Sequence, residues 1–177
     1  MMVSAEHIRH YLLLSGGLDS TALAGRLVEQ HGASTVAAVT FLYGQKHAVE
    51  LEAARAVAAF YGLAQHQVVE IPPIRGSALT EQDMPLPQGR NLRTVQGVAP
   101  SYVPARNLLF LALLASMADV AGPATLRLGV HHADPTGYPD CRPEFVAAAA
   151  EAVRPVTYTH LTMPNINPVS IPVHPYS

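Results

Sequence analysis

The sequence predicts an α/β fold in which a parallel sheet carries helices on both faces, and three observations predict it. Short apolar runs alternate with helix-forming stretches, in the order strand–helix–strand–helix–strand, as far as Ile71; that order is the signature of crossovers in a parallel sheet. The helical stretches stop at Gly32, Gly62 and Gly122, where a residue without Cβ can leave the helical conformation freely. The first apolar run passes through Ser15-Gly16-Gly17 straight into a helix, the local order of an anion-binding turn.

Each element follows from its residues. Residues 10–14 are apolar and end at glycine, so they read as a buried strand. Residues 20–31 read as a helix closed by Gly32. Residues 36–41, rich in Val, Thr and Phe, form a second strand, and the Ala/Glu/Arg stretch 47–61 a second helix. Residues 67–71 form a third strand, closed by Pro72-Pro73. From 75 to 100 the periodicity dissolves into Gly, Pro, Gln and Asn; so long a connection reads as an active-site flap or an interface excursion, with a disordered insertion as the alternative. Residues 103–120 form an apolar third helix and 125–130 a fourth strand; 143–153 form a fourth helix with Pro143 in its first turn. In such sheets ligands sit beyond the C-terminal strand ends.

Composition bounds the function. The chain has 177 residues and a net charge of −2, enough for one domain with a real core and without the basic balance of a duplex-DNA binder. Charged residues make up 14%, against a usual level of about 25%. The longest strongly apolar stretch, 108–118, falls short of the roughly 20 residues that span a bilayer, and the first residues lack a convincing signal-peptide core. A single cysteine, Cys141, excludes an internal disulfide and suits a reducing cytoplasm.

Four segments carry chemistry. In SGGLDST (residues 15–21), two glycines allow close approach to an anion, the helix start offers N–H groups and a positive dipole end, and Ser15, Ser20 and Thr21 add hydroxyls. The spacing is neither the Lys-bearing nucleotide loop nor G-x-G-x-x-G. Tyr43-Gly44-Gln45-Lys46-His47 follows the second strand, where Lys46 can meet a phosphate and Glu50 a metal or an amine, or both simply decorate a solvated helix start. Val103-Pro104-Ala105-Arg106-Asn107 offers the donor fork of Arg106 to a triphosphate. The run from Gly129 to Phe145 is the densest in polar chemistry: Asp134, Asp140 and Glu144 can bind Mg²⁺ or ring-edge amides. Cys141, just ahead of a helix N-terminus, is a candidate nucleophile or substrate contact, or a structural thiol. His131 and His132 are neighbours at a strand end, so they point to opposite faces and make a poor metal pair.

The SGGLDST loop resembles the pyrophosphate loop of the ATP-pyrophosphatase (PP-loop) superfamily. With YGQKHAVE, VPARN and TGYPDCRPEF in that order, residues 10–153 closely resemble the 7-cyano-7-deazaguanine synthases. The resemblance implies a Rossmann-like fold of the adenine nucleotide α-hydrolase type. It implies an ATP-dependent ligase of queuosine biosynthesis that joins 7-carboxy-7-deazaguanine and ammonia through adenylated intermediates. The implied ATP contacts are Leu14, Ser15, Gly16, Gly17, Leu18, Asp19, Ser20, Thr21, Ala22, Leu23 and Ala24, with Arg106; the implied catalytic set is Asp19, Lys46, Arg106 and Cys141. The implied substrate contacts are Tyr43, Gln45, Tyr138, Asp140, Cys141 and Arg142. ATP and Mg²⁺ are the implied cofactors; the partners are small molecules, with no direct nucleic acid, no membrane and room for a family-like homodimer.

The chain also departs from that pattern. The family implies four C-terminal cysteines on a structural Zn²⁺, but no cysteine follows Cys141, and His160 and His174 are too few and too far apart to replace them. Residues 154–177 are proline-rich and without periodicity. The expectation is therefore a synthase domain over 1–153 and a foreign or disordered tail over 154–177, the native protein having been cut near Val153; a divergent native tail is the alternative. Loss of the zinc segment predicts low stability. Competing functions are a truncated, inactive ATP-binding remnant and another amide-forming or tRNA-thiolating enzyme of the superfamily.

Overall fold

The computed structural model describes residues 8–45, 48–81, 83–84, 97–122, 124–130 and 138–153. They form four strands and four α-helices: β1 (His10–Leu13), α1 (Leu18–His31), β2 (Val36–Leu42), α2 (Ala48–Tyr61), β3 (Gln65–Glu70), α3 (Arg106–Ala121), β4 (Thr125–Leu128) and α4 (Pro143–Val153). The sheet is wholly parallel, in the order β3-β2-β1-β4. The chain thus builds outward from β1 to β3 and then returns to β4 on the other side of β1. The fold is α/β and Rossmann-like, and the reversal between β1 and β4 marks the crevice where such sheets bind ligands.

Side chains of a strand alternate between faces, and the core divides accordingly. Leu12, Leu14, Val36 and Ala38 pack with Leu23, Ala24 and Leu27 of α1 and Ala54 and Ala58 of α2. Tyr11, Val39, Phe41 and Leu126 pack on the opposite face with Phe110, Leu114 and Ala118 of α3. Leu128 joins Leu111 of α3 to Ala149 of α4. At the α1–α2 contact a Cβ on Gly25 would stand 2.6 Å from the Tyr61 hydroxyl, so the two helices approach through the absent side chain.

The element boundaries depart from the sequence expectations for local reasons. Helix α1 starts at Leu18 rather than 20, because Gly17 (φ −74°, ψ 166°) already serves as its N-cap. Helix α3 starts at Arg106 rather than 103, because Ala105 sits in the left-handed region (φ 51°, ψ 22°). Strand β3 lies two residues earlier than expected at its start, and β4 ends at Leu128 rather than 130. The described ends of the 75–100 excursion are tied together: the Ala78 N–H donates to the Pro100 carbonyl (2.8 Å), with Ser77 fully buried beside it. The tail 154–177 lies outside the described residues.

Candidate active site

The Gly-rich loop is a hydrogen-bonded knot at the top of β1. Its first peptide is held at both ends: the Leu14 carbonyl accepts from the Thr40 hydroxyl (2.6 Å), and the Ser15 N–H donates to Ser20 Oγ (3.3 Å). Ser20 Oγ itself donates to the Gly17 carbonyl (3.0 Å). Its single proton is thereby used, so the 3.1 Å contact between the two serine hydroxyls has Ser15 donating. Ser15 Oγ in turn accepts from the Gly17 N–H (3.3 Å). Ser20 is therefore the brace of the loop, saturated by protein contacts.

The two glycines do different work. Gly16 has φ +79°, and a Cβ there would lie 2.6 Å from the Ala54 nitrogen and 2.8 Å from both the Ala53 Cβ and the Glu50 carbonyl. It is required by conformation and by the close approach of α2. Gly17 has an ordinary φ, and its Cβ would meet only Ser15 Oγ, at 3.4 Å. The fold leaves Gly17 room for a side chain, and the position is exposed. Beneath α1, a Cβ on Gly129 would come 3.1 Å from the Ser20 nitrogen, so the end of β4 packs directly under the helix start.

Over these strand ends lies a cavity of about 500 Å³. The loop contributes Leu14, Ser15, Asp19 and Ser20. The end of β2 and its turn contribute Thr40, Phe41, Tyr43 and Gln45, α2 contributes Glu50, and α3 contributes Arg106, Asn107 and Phe110. Tyr138 and Cys141 close the far side, and Leu79 brings the start of the excursion into the wall. Phe41 and Phe110 stack at 4.7 Å between ring centroids, and Tyr43 meets Phe110 edge-on at 5.4 Å. Arg106 lies over both, 5.7 Å from the Tyr43 centroid and 6.0 Å from that of Phe110, and donates through Nη1 to the Tyr43 hydroxyl (3.1 Å). Its Nε is buried without a partner among the described residues, leaving a donor in reserve at the cavity wall.

Asp140 positions this wall from a distance. It is buried, 5% exposed, in the short 3-10 turn Pro139–Cys141. Its carboxylate accepts from the Asn107 N–H in the first turn of α3 (3.0 Å), and its carbonyl accepts from Asn107 Nδ2 (3.0 Å). A carboxylate is favoured there by the orphan N–H groups and the dipole of the helix. The same Asn107 amide approaches Cys141 Sγ at 3.4 Å. Gln45 is likewise turned inward, accepting from the Tyr43 N–H (2.8 Å) and donating to the Phe41 carbonyl (3.3 Å).

Of the residues singled out from sequence, Leu14, Ser15, Asp19, Ser20, Tyr43, Gln45, Arg106, Tyr138 and Cys141 line this cavity. Gly16 and Gly17 are not among its lining residues, and Leu23 and Ala24 are buried in the core below α1. Leu18 is 80% exposed, Ala22 and Arg142 are exposed, and Thr21 is half-buried; none of these four lines the cavity. Asp140 caps α3 instead of facing the cavity. Lys46, His131, His132 and Asp134 lie outside the described residues. Sequence reasoning gave no role to Thr40, His66, Asn107 or Phe110. Thr40 is a polar residue buried to 3% within an apolar strand, a signal that could have been followed.

Asp19 and Glu50 are the carboxylates on the cavity wall. One or two carboxylates beside phosphate oxygens suit Mg²⁺, so the donor set fits a nucleotide-bound cation. Among the described residues no group of three or more His, Cys, Asp or Glu could hold a metal by itself. No described helix is long and apolar enough to cross a membrane.

Residues 9–171 match the family model described as queuosine biosynthesis protein QueC. The chain is 45% identical over 148 residues to the 7-cyano-7-deazaguanine synthase of Novosphingobium aromaticivorans, covering 82% of this chain and 61% of that protein. It is 44% identical over 140 residues to that of Solidesulfovibrio magneticus (77% and 58%), and 40% over 146 residues to that of Acetivibrio thermocellus (82% and 63%). The chain spans about three fifths of the length of these curated relatives. By a family match that runs through nearly the whole sequence, and by these identities, the chain belongs to the queuosine biosynthesis protein QueC family.

Proposed function

We propose that this chain binds ATP and converts 7-carboxy-7-deazaguanine and ammonia to 7-cyano-7-deazaguanine. The observation that carries the reading is the cavity, which joins the Gly-rich loop of β1 to Arg106, Tyr138 and Cys141 within one wall. In this reading the substrate carboxylate attacks the α-phosphorus of ATP and pyrophosphate leaves. Ammonia displaces AMP from the acyl adenylate to give an amide. The amide oxygen attacks the α-phosphorus of a second ATP, pyrophosphate leaves again, and loss of AMP and both amide protons yields the nitrile.

The residues divide the work. The backbone N–H groups around Gly17 and the start of α1 stabilise the departing pyrophosphate, which carries more charge than the bound ester. Arg106 adds its guanidinium, oriented by Tyr43 and Phe110. The aromatic pair Phe41–Phe110 gives a flat ring an apolar surface, and Tyr138 and Cys141 bound the acyl end. Mg²⁺, held by Asp19 and Glu50, would neutralise phosphate charge. A Cys₄ zinc centre has no ligand set in a sequence with one cysteine, and no step is assigned to zinc. A cytoplasmic setting and a homodimer belong to the same reading.

The test is pyrophosphate release from ATP with 7-carboxy-7-deazaguanine, with and without ammonium, followed by product mass. Substrate-dependent release with the nitrile mass supports the synthase. ATP binding without release assigns the chain to nucleotide binding alone, and absence of both overturns the proposal.

A further inference from the structure

A hydrogen-bond relay crosses three neighbouring strands and ends on the Gly-rich loop. His66 on the edge strand β3 contacts Thr40 on β2 (Nε2 to Oγ1, 2.9 Å), and Thr40 contacts the Leu14 carbonyl above β1 (2.6 Å). The proton assignment is forced. A carbonyl can only accept, so the single hydroxyl proton of Thr40 points at Leu14, and the Thr40 oxygen must accept from His66. The imidazole therefore carries its proton on Nε2. Burial, with the Arg55 cation of α2 adding to it, lowers the His66 pKa, which favours the neutral ring.

We propose that His66 is a positioning residue for the pyrophosphate loop: its Nε2–H orients the Thr40 hydroxyl, which holds the Leu14–Ser15 peptide plane and so the aim of the loop N–H groups. The proposal rests on the nucleotide reading of that loop. His66 is absent from the cavity wall, and Thr40 carries its effect there. Nothing else in the surroundings of Thr40 is needed to explain its burial in an apolar strand: a hydroxyl between Val39 and Phe41 is retained with both lone-pair and proton partners satisfied. The other end of the same peptide is held by Ser20, so releasing the carbonyl frees the plane to rotate about a single anchor.

The test uses the full chain with ¹⁵N-labelled histidine and inorganic pyrophosphate as probe. The His66 ring nitrogens should show the Nε2–H tautomer in the wild type; the Nδ1–H tautomer overturns the proposal outright. His66→Leu should weaken pyrophosphate binding about tenfold, the effect of losing roughly one hydrogen bond, and should speed exchange of the Ser15 amide. His66→Gln keeps an N–H donor and should return binding to within about threefold of wild type. If Leu and Gln variants lose melting temperature and affinity alike, the histidine is a packing residue and the proposal fails. If the wild type binds no pyrophosphate, the proposed function fails, and the tautomer and Ser15 exchange still decide the relay.

Discussion

Gly16 and Gly17 are adjacent in sequence, yet alanine at the two positions should produce opposite phenotypes. At Gly16 a side chain would be forced into φ +79°, which costs about 1–2 kcal/mol for an L-residue. Its Cβ would also press on atoms of α2 at 2.6–2.8 Å, two of them backbone, which cannot swing aside; overpacking of this kind costs about 1–3 kcal/mol. Together Gly16→Ala should remove about 3 kcal/mol, which lowers the melting temperature by about 6–12 °C in a chain of this size. At Gly17 the backbone is ordinary and the space is open, so alanine should cost only about 1 kcal/mol or less as a poorer N-cap. Its methyl group would instead occupy the approach to the helix N–H groups, and pyrophosphate affinity should fall about tenfold or more. Thermal melts and titration calorimetry of the two variants give the comparison. A Gly16→Ala protein that melts within about 2 °C of wild type would refute the steric reasoning. A Gly17→Ala protein with unchanged affinity would refute the assignment of that position to the anion.

Three further outcomes are expected. Asp140→Asn keeps an acceptor for the Asn107 N–H but removes the charge at the start of α3; the melting temperature should drop by about 4 °C, and an unchanged melt would show the carboxylate to be dispensable. Arg106→Lys loses the planar fork that binds Tyr43 and overlies Phe110, so KM for ATP should rise about tenfold with little change in the melt; equal kinetics would sink its role. Acidification should destabilise the fold through His10, whose pKa is lowered to about 4 by burial first and then by Arg127, His31 and Arg9. Because the native state prefers the neutral ring, the unfolded chain takes up the proton first, and stability present above pH 6.5 is lost as pH falls towards 4. The gap bounds the loss at about 3 kcal/mol, and screening reduces it to about 1–2. Melts at pH 7.5 and 5 on wild type and His10→Phe measure it; a slope unchanged by the substitution contradicts the assignment.

Much of this was legible because the relevant signals are local. The alternation of apolar runs and helix formers specifies a parallel sheet, and Gly16 announces a turn that only glycine completes. The loop and Tyr43 meet because each directly follows a strand end, as the crevice rule expects; Arg106 and Cys141 join them from the start of α3 and the turn before α4. What escaped sequence reading depends on cross-strand register. Thr40 matters because it lies beside Leu14, a neighbour 26 residues away, and Asn107 matters because Asp140 reaches back 33 residues to meet it. From sequence Asp140 can bind Mg²⁺ or a ring-edge amide, and the resemblance implies a substrate contact; what sequence does not show is that its carboxylate accepts from the Asn107 N–H at the start of α3. The late start of α3 was equally hidden, since a left-handed alanine has no sequence signature and arises from its setting, where the Ala105 N–H donates to the Tyr102 hydroxyl (2.9 Å).

The carboxylate of Asp140 also gives the cavity a polarity. Helices α1 and α3 both begin at this crevice, and each brings the positive end of a dipole. At α3 the field is already answered by a buried anion from the chain itself, whereas at α1 the N-cap Gly17 brings no side chain and the first-turn carboxylate of Asp19 is exposed to solvent that screens it. A rod-shaped guest with its charge gathered at one end therefore finds one attracting pole and one quenched pole. Such a guest can lie in the crevice head-first or tail-first by shape alone, but only one of the two directions satisfies the electrostatics.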